Sequence, residues 1–205
     1  MNLEQNDTYK TISTTSEEVL FKDKNSKFFG YAFPITSEDE IKSIIIDLKK
    51  QHHQARHWCY AFQIGTEIKY YRVNDDGEPN NSAGAPIYGQ IQSFDVTNIL
   101  VVVVRYFGGV KLGVSGLINA YKTTAQMALE ISDIIEKTID KHYFIYFDYK
   151  NMNKVMRIIK EKNLTIVNQK LELNCEIEIS VRKKYSSEIF DIFKTLFEVT
   201  IQEKE

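Results

Sequence analysis

The sequence predicts an α+β protein of two domains, and three observations carry that prediction. An unbroken apolar run, Ile99 to Val104, empties into a glycine-rich turn and then a helix-like segment, the pattern of a strand buried on both faces. The last residues read strand, helix, strand, strand, helix, strand, the ferredoxin-like βαββαβ order over about 70 residues. A chain of 205 residues, 43 % hydrophobic and 26 % charged, is long enough to bury a real core and suits one large domain or two small ones. We therefore divide it at 1–134 and 135–205.

The elements follow in order. Tyr9 to Ser13 reads as one short strand inside a polar, threonine-rich start. Val19 to Ile35 reads as a bent extended segment, with Phe28, Phe29, Tyr31 and Phe33 supplying β-favouring bulk, and Pro34 ends it. Ser37 is placed as an N-cap with Glu40 completing a capping box. Ile41, Ile44, Ile45 and Leu48 follow at helical spacing, and Lys49 and Lys50 suit the C-terminal dipole.

Trp58 to Ile64 and Ile68 to Val73 read as paired strands turned at Gly65-Thr66-Glu67. Asn74 to Pro86 is the main irregular region, dense in turn formers and holding two of the three prolines. A short helix, Pro86 to Gln92, precedes the buried strand. A long helix, Ser115 to Ser132, follows the glycine turn and puts Leu117, Ile118, Tyr121, Ala125, Ala128 and Leu129 on one face. In the tail, Lys141 to Tyr149, Thr165 to Lys170, Leu171 to Val181 and Val199 to Gln202 read as strands. Asn151 to Lys162 and Ser186 to Phe197 read as helices, and Glu172, Glu176 and Glu178 are placed on a solvated strand face. There is no internal repeat and no low-complexity tract.

Charge narrows the function. The net charge of −2 removes the simplest argument for nucleic-acid binding, a strongly basic surface. Residues 1–134 hold 13 basic and 16 acidic residues and the remainder 13 and 12, so neither part is a polycation. Arg182-Lys183-Lys184 is short enough to be ordinary solvated surface. The start of the chain lacks the basic and apolar regions of a signal peptide, and no apolar run approaches the ~20 residues of a membrane span. Two distant cysteines, Cys59 and Cys175, are expected to be reduced thiols in a soluble cytoplasmic protein.

The turn from Arg105 to Gly116 carries four of the nine glycines, bracketed by Arg105 and Lys111. Such a strand-to-helix turn can hold an anion on its amides. Its spacing fits neither G-x-x-x-x-G-K-[ST] nor G-x-G-x-x-G, and close packing alone also explains the glycines.

Three ordered blocks closely resemble the YigZ/IMPACT family. They are His53-Gln54-Ala55-Arg56-His57-Trp58-Cys59-Tyr60-Ala61; Asp75-Asp76-Gly77-Glu78-Pro79 with Ser82-Ala83-Gly84-Ala85-Pro86-Ile87; and Arg105-Tyr106-Phe107-Gly108-Gly109-Val110-Lys111-Leu112-Gly113. The resemblance implies an N-terminal α/β sandwich of the fold shared by a small-subunit ribosomal protein and domain IV of elongation factor G. The tail resembles that factor's domain V. It also implies a non-enzymatic role in translation regulation, since eukaryotic relatives restrain an initiation-factor kinase by competing for its ribosome-bound activator. Two departures stand out. The family's GEPSGTAG is replaced by Gly77-Glu78-Pro79-Asn80-Asn81-Ser82-Ala83-Gly84, and Ser115 and Asn119 stand where a glycine and an arginine are usual.

Candidate chemistry is sparse. His53, His57 and Cys59 lack a fourth metal ligand nearby, so no metal or other cofactor is expected. Asp75, Asp76 and Glu78 suit magnesium or acid–base work, but also a turn in which Asp76 and Glu78 pair with Arg105 and Lys111. Tyr143, Phe144, Tyr146 and Phe147 offer stacking surfaces to bases, half of them facing a core. The candidate binding residues are Asp76, Glu78 and Ser82 from the loop. From the strand end and turn come Arg105, Tyr106, Gly108, Gly109, Lys111, Gly113 and Ser115. The expected partners are the ribosome or RNA, or a protein of translational control, with no membrane and no DNA. The alternative is a small hydrolase or phosphate-handling enzyme in the same crevice, with Ser82 or Ser115 beside His53 or His57.

Overall fold

The structure is a computed structural model that describes residues 7–204. Those residues form two compact units, one of residues 9–137 and one of residues 138–204 with residues 7 and 8. No helix among the described residues is long and apolar enough to cross a membrane.

The first unit is built on a five-stranded antiparallel sheet of β2 (Val19–Asp23), β3 (Ser26–Pro34), β6 (Ile99–Tyr106), β4 (His57–Ile64) and β5 (Tyr70–Asn74), in that spatial order. Central β6 is buried along Ile99–Arg105 because helices cover both sheet faces. α2 (Gly84–Ser93) and α3 (Gly113–Glu130) bury Ile87, Ile91, Leu117, Tyr121 and Leu129 against one face, with Phe28, Cys59, Val101 and Val103. α1 (Asp39–Gln51) buries Ile41 and Leu48 on the other, with Tyr31, Phe62, Val102 and Val104. β1 (Thr8–Ile12) pairs with β7 (Ile134–Thr138) in a separate two-stranded sheet.

Several expectations are corrected. Val19 to Ile35 is a hairpin, not a bent strand: Lys24 and Asn25 both take positive φ, +42° and +64°, and reverse the chain between β2 and β3. Ser37 is not a helix cap. α1 starts at Asp39, and Glu40 instead accepts bonds from the amides of Thr36 (2.7 Å) and Ser37 (2.9 Å), which holds its carboxyl below the usual carboxylate range. Ile68 lies outside β5 and is 89 % exposed. α3 begins at Gly113, so Ser115 is inside the helix, and it ends at Glu130. β7 has no counterpart in the sequence reading, and it carries the unit boundary a few residues past 134.

The second unit runs β8 (Asp140–Asp148), α4 (Met152–Glu161), β9 (Thr165–Lys170), β10 (Asn174–Arg182), α5 (Ser186–Lys194), β11 (Val199–Glu203). Its antiparallel sheet has the order β11-β8-β10-β9. Val155, Ile158, Ile159, Ile189 and Phe193 of the two helices pack on Tyr143, Ile145, Phe147, Ile177 and Ile179. Alternation along β8 thus buries Tyr143 and Phe147 and leaves Phe144 and Tyr146 half-buried on the opposite face. Glu178 is not solvated. It is buried, accepting bonds from Lys204 (2.8 Å) and His142 (3.1 Å), and the lysine first of all lowers its pKa.

Candidate functional site

The loop between β5 and α2 is ordered by its own carboxylates. Asp75 Oδ1 accepts bonds from the amides of Ala83 (3.0 Å) and Gly84 (2.8 Å), and Oδ2 from Asn81 (2.9 Å). It therefore caps the start of α2 from eight residues upstream, a task no residue adjacent to that helix performs. Asp76 takes φ +39°, accepts a bond from the Trp58 amide (2.7 Å) and offers its carbonyl to His57 Nδ1 (2.8 Å). Ser82 is fully buried and donates to the Pro79 carbonyl at 2.6 Å.

Beneath this loop lies a buried polar cluster. Arg105 Nη1 and the Tyr121 hydroxyl both donate to Glu78 Oε1, at 2.6 and 2.8 Å. The Arg105 and Glu78 side chains are only 6 % and 4 % exposed, so this is a desolvated ion pair stabilised by a third donor. The guanidinium also lies over the rings of Phe28 (5.5 Å) and Phe107 (5.6 Å). His57 Nε2 stands 3.9 Å from Glu78. The Cys59 thiol, 3.0 Å from the Asp75 carbonyl and 3.4 Å from the Tyr121 hydroxyl, is pushed up in pKa by burial, as is Tyr121. Both groups are held neutral, so neither is an activated nucleophile or base.

On the opposite sheet face a second chain of groups reaches the same strand end. His52 is buried between Tyr31 (Nε2 to Oη 2.5 Å) and Tyr106 (Nδ1 to Oη 3.1 Å), and Tyr31 donates to Glu18. Because the one hydroxyl proton of Tyr31 goes to Glu18, His52 Nε2–H donates to Tyr31, and Nδ1 accepts from Tyr106. Burial lowers the pKa of His52, with the Glu18 charge opposing that shift.

The turn itself is different in kind. Gly108 is wedged: a Cβ there would stand 2.1 Å from the carbonyl carbon of Asn25, and its amide donates to Ser26 Oγ at 3.1 Å. Gly109 and Gly113 take φ +84° and +78° with open space around them. Lys111 and Ser115 are exposed, and among the described residues Lys111 has no ion-pair partner.

The candidate residues therefore separate. Glu78, Ser82 and Arg105 are interior, Asp76 and Tyr106 are engaged by His57, Trp58 and His52, and Gly108 is a packing contact. Gly109, Lys111, Gly113 and Ser115 face outward. The pairing of Glu78 with Arg105 is present, whereas Asp76 and Lys111 do not join it. Ser82 bonds Pro79 rather than a histidine, and among the described residues no group of three His, Cys, Asp or Glu side chains is placed to hold a metal ion. Two members of these clusters were absent from the sequence candidates: Tyr121, which reads as one apolar position of a helix stripe, and His52, whose partners lie 21 and 54 residues away.

Comparison with known proteins places this geometry. The Impact N-terminal domain model matches residues 24–129, which contain the loop, the cluster and the turn. The chain is 31 % identical over 176 residues to the IMPACT family member YvyE of Bacillus subtilis, covering 86 % of this chain and 81 % of that protein. It is 29 % identical over 157 residues to the IMPACT family member YigZ of Escherichia coli, covering 76 % and 75 %. A crystal structure described as that of a hypothetical protein superposes with a TM-score of 0.74 at 23 % identity, over 97 % of this chain and 98 % of its own, and so shares the fold.

Proposed function

Because the chain belongs to the IMPACT family, we propose that it is a non-enzymatic binding module of translational control that engages the ribosome. The observation that carries this reading is the division just described. Glu78, Ser82, Arg105 and His52 are buried and hydrogen-bonded to structural partners, and half-buried His57, Asp75 and Asp76 are engaged in ordering the loop, while the outward glycine turn presents binding surface without an acid–base pair. A hydrolase of the serine type needs a base within reach of its nucleophile, whereas Ser82 donates to the Pro79 carbonyl and, among the described residues, no histidine hydrogen-bonds Ser82 or Ser115. The translational role rests on the family resemblance; fold analogy alone does not give function. The βαββαβ order with sheet order β11-β8-β10-β9 supports a ferredoxin-like second domain, and the helix-covered five-stranded sheet supports the ribosomal-protein-like sandwich of the first.

The test is sedimentation of the purified protein with purified bacterial ribosomes through a sucrose cushion, at low and at raised salt. The expected result is co-sedimentation at low salt. Absence from the ribosomal pellet under every condition sinks ribosome engagement.

A further inference from the structure

The outward face of the turn and of the first half of α3 has a chemistry of its own. Phe107, Val110, Val114 and Ile118 are 50, 49, 53 and 39 % exposed within a span of twelve residues. Val114 and Ile118 are one helical turn apart, and Lys122 continues the same row. Lys111, between Val110 and Val114, and Lys122, one turn past Ile118, are both exposed. Between Asp95 and Glu130 the sequence contains no carboxylate at all. The strip sits on a firm base: Leu112, Leu117 and Tyr121 are buried beneath it, and the Arg105 guanidinium backs the Phe107 ring at 5.6 Å.

We propose that this face docks an amphipathic, acidic helical segment of a partner protein. The proposal rests on the binding-module reading above and names the chemistry of that module's partner. Apolar side chains of the segment cover Val110, Val114 and Ile118, and its flanking carboxylates meet Lys111 and Lys122. Such a segment buries what is otherwise an exposed apolar patch and answers charge with charge. RNA fits the strip less well. Two lysines neutralise two phosphates, where salt-dependent nucleic-acid sites use about 6–10, and of the four apolar side chains only Phe107 offers a ring, already backed by the Arg105 guanidinium. A second copy docked face to face fits less well too, since two strips carrying only cations set like charges against each other.

The test is fluorescence anisotropy at physiological salt with three labelled probes. These are a helical peptide with leucines along one face and glutamates elsewhere, the same peptide with lysine for glutamate, and an oligouridylate of about ten nucleotides. The acidic peptide is expected to bind at least about tenfold more tightly than either of the others. Val114→Asp/Ile118→Asp is expected to weaken it by at least about tenfold. Lys111→Ala/Lys122→Ala is expected to weaken it by about fivefold and to flatten its salt dependence. The idea is overturned if the acidic peptide does not bind, if both variants bind it as the wild type does, or if the oligouridylate binds more tightly. It is equally overturned if the wild type is a dimer that Val114→Asp/Ile118→Asp dissolves. Ribosome pelleting separates the two readings: a protein that pellets but ignores the peptide refutes this docking chemistry alone, and one that never pellets refutes the ribosome reading.

Discussion

The loop from Asp75 to Gly84 and the turn from Phe107 to Ser115 both belong to the first unit and both contain the sequence's most chemical-looking residues, yet they are opposites. The loop turns its polar groups inward: Asp75 caps α2, Asp76 holds the start of β4, and Glu78 takes two donors in a dry interior. The turn sends Phe107, Val110, Lys111 and Val114 outward. A buried ion pair with a third hydrogen bond is a device for fixing shape, since its energy depends on geometry. Exposed apolar groups beside unpaired lysines are costly to leave uncovered and favour contact. The difference teaches that the loop's charged residues hold the fold, while the proposed docking surface is made of apolar side chains and lysines that no fold contact consumes.

The comparison can be broken most forcefully at its buried end. Arg105→Ala leaves Glu78 desolvated with one donor, so the unfolding free energy in urea is expected to fall by about 3–5 kcal/mol. A loss below about 1 kcal/mol would show the pair to be solvated and free for binding. Gly108→Ala drives a methyl into the Asn25 backbone and is expected to lower stability by about 3 kcal/mol. Its neighbour Gly109→Ala has room and meets only the positive φ, for about 1 kcal/mol. A matched pair of melts decides whether the two glycines differ in this way. Tyr121→Phe removes one donor from Glu78 and is expected to cost about 1–2 kcal/mol while leaving surface contacts intact.

A smaller effect sharpens the picture of the other sheet face. Because burial depresses the pKa of His52 in the folded protein, the unfolded state takes up its proton first as pH falls. The contribution is present above the ordinary histidine value near 6.5 and is lost as pH drops through it. The unfolding midpoint is therefore expected to fall as pH drops below about 6.5, more steeply in the wild type than in His52→Gln. Equal slopes would mean that another of the four histidines carries the dependence.

Local patterns in the sequence exposed most of the architecture because strands and helices announce themselves by period. The buried run Ile99 to Val104 and the alternation along β8 are both physical consequences of which faces are covered. What local pattern hides is partnership over distance. Asp75 looks like a turn residue, and it is one, but its cap on α2 appears only once the loop has closed. Tyr121 occupies an apolar helix position, and nothing in periodicity shows that its hydroxyl meets Glu78, 43 residues earlier. The Lys24-Asn25 reversal was legible in principle, since asparagine tolerates positive φ, but no glycine marked it. The site was legible as a region, down to the Glu78–Arg105 pair, but which of its residues turn inward and which face out depends on how the loop closes.

The measurement that bears most directly on the account is ribosome co-sedimentation of Val114→Asp/Ile118→Asp beside the wild type, with urea unfolding of both. Val114 and Ile118 are 53 % and 39 % exposed and only partly packed, so the double substitution is expected to cost no more than about 1–2 kcal/mol and to leave the protein folded. The expected result is a folded variant that is absent from the ribosomal pellet. A variant that pellets as fully as the wild type would contradict it and move the binding surface away from the glycine turn.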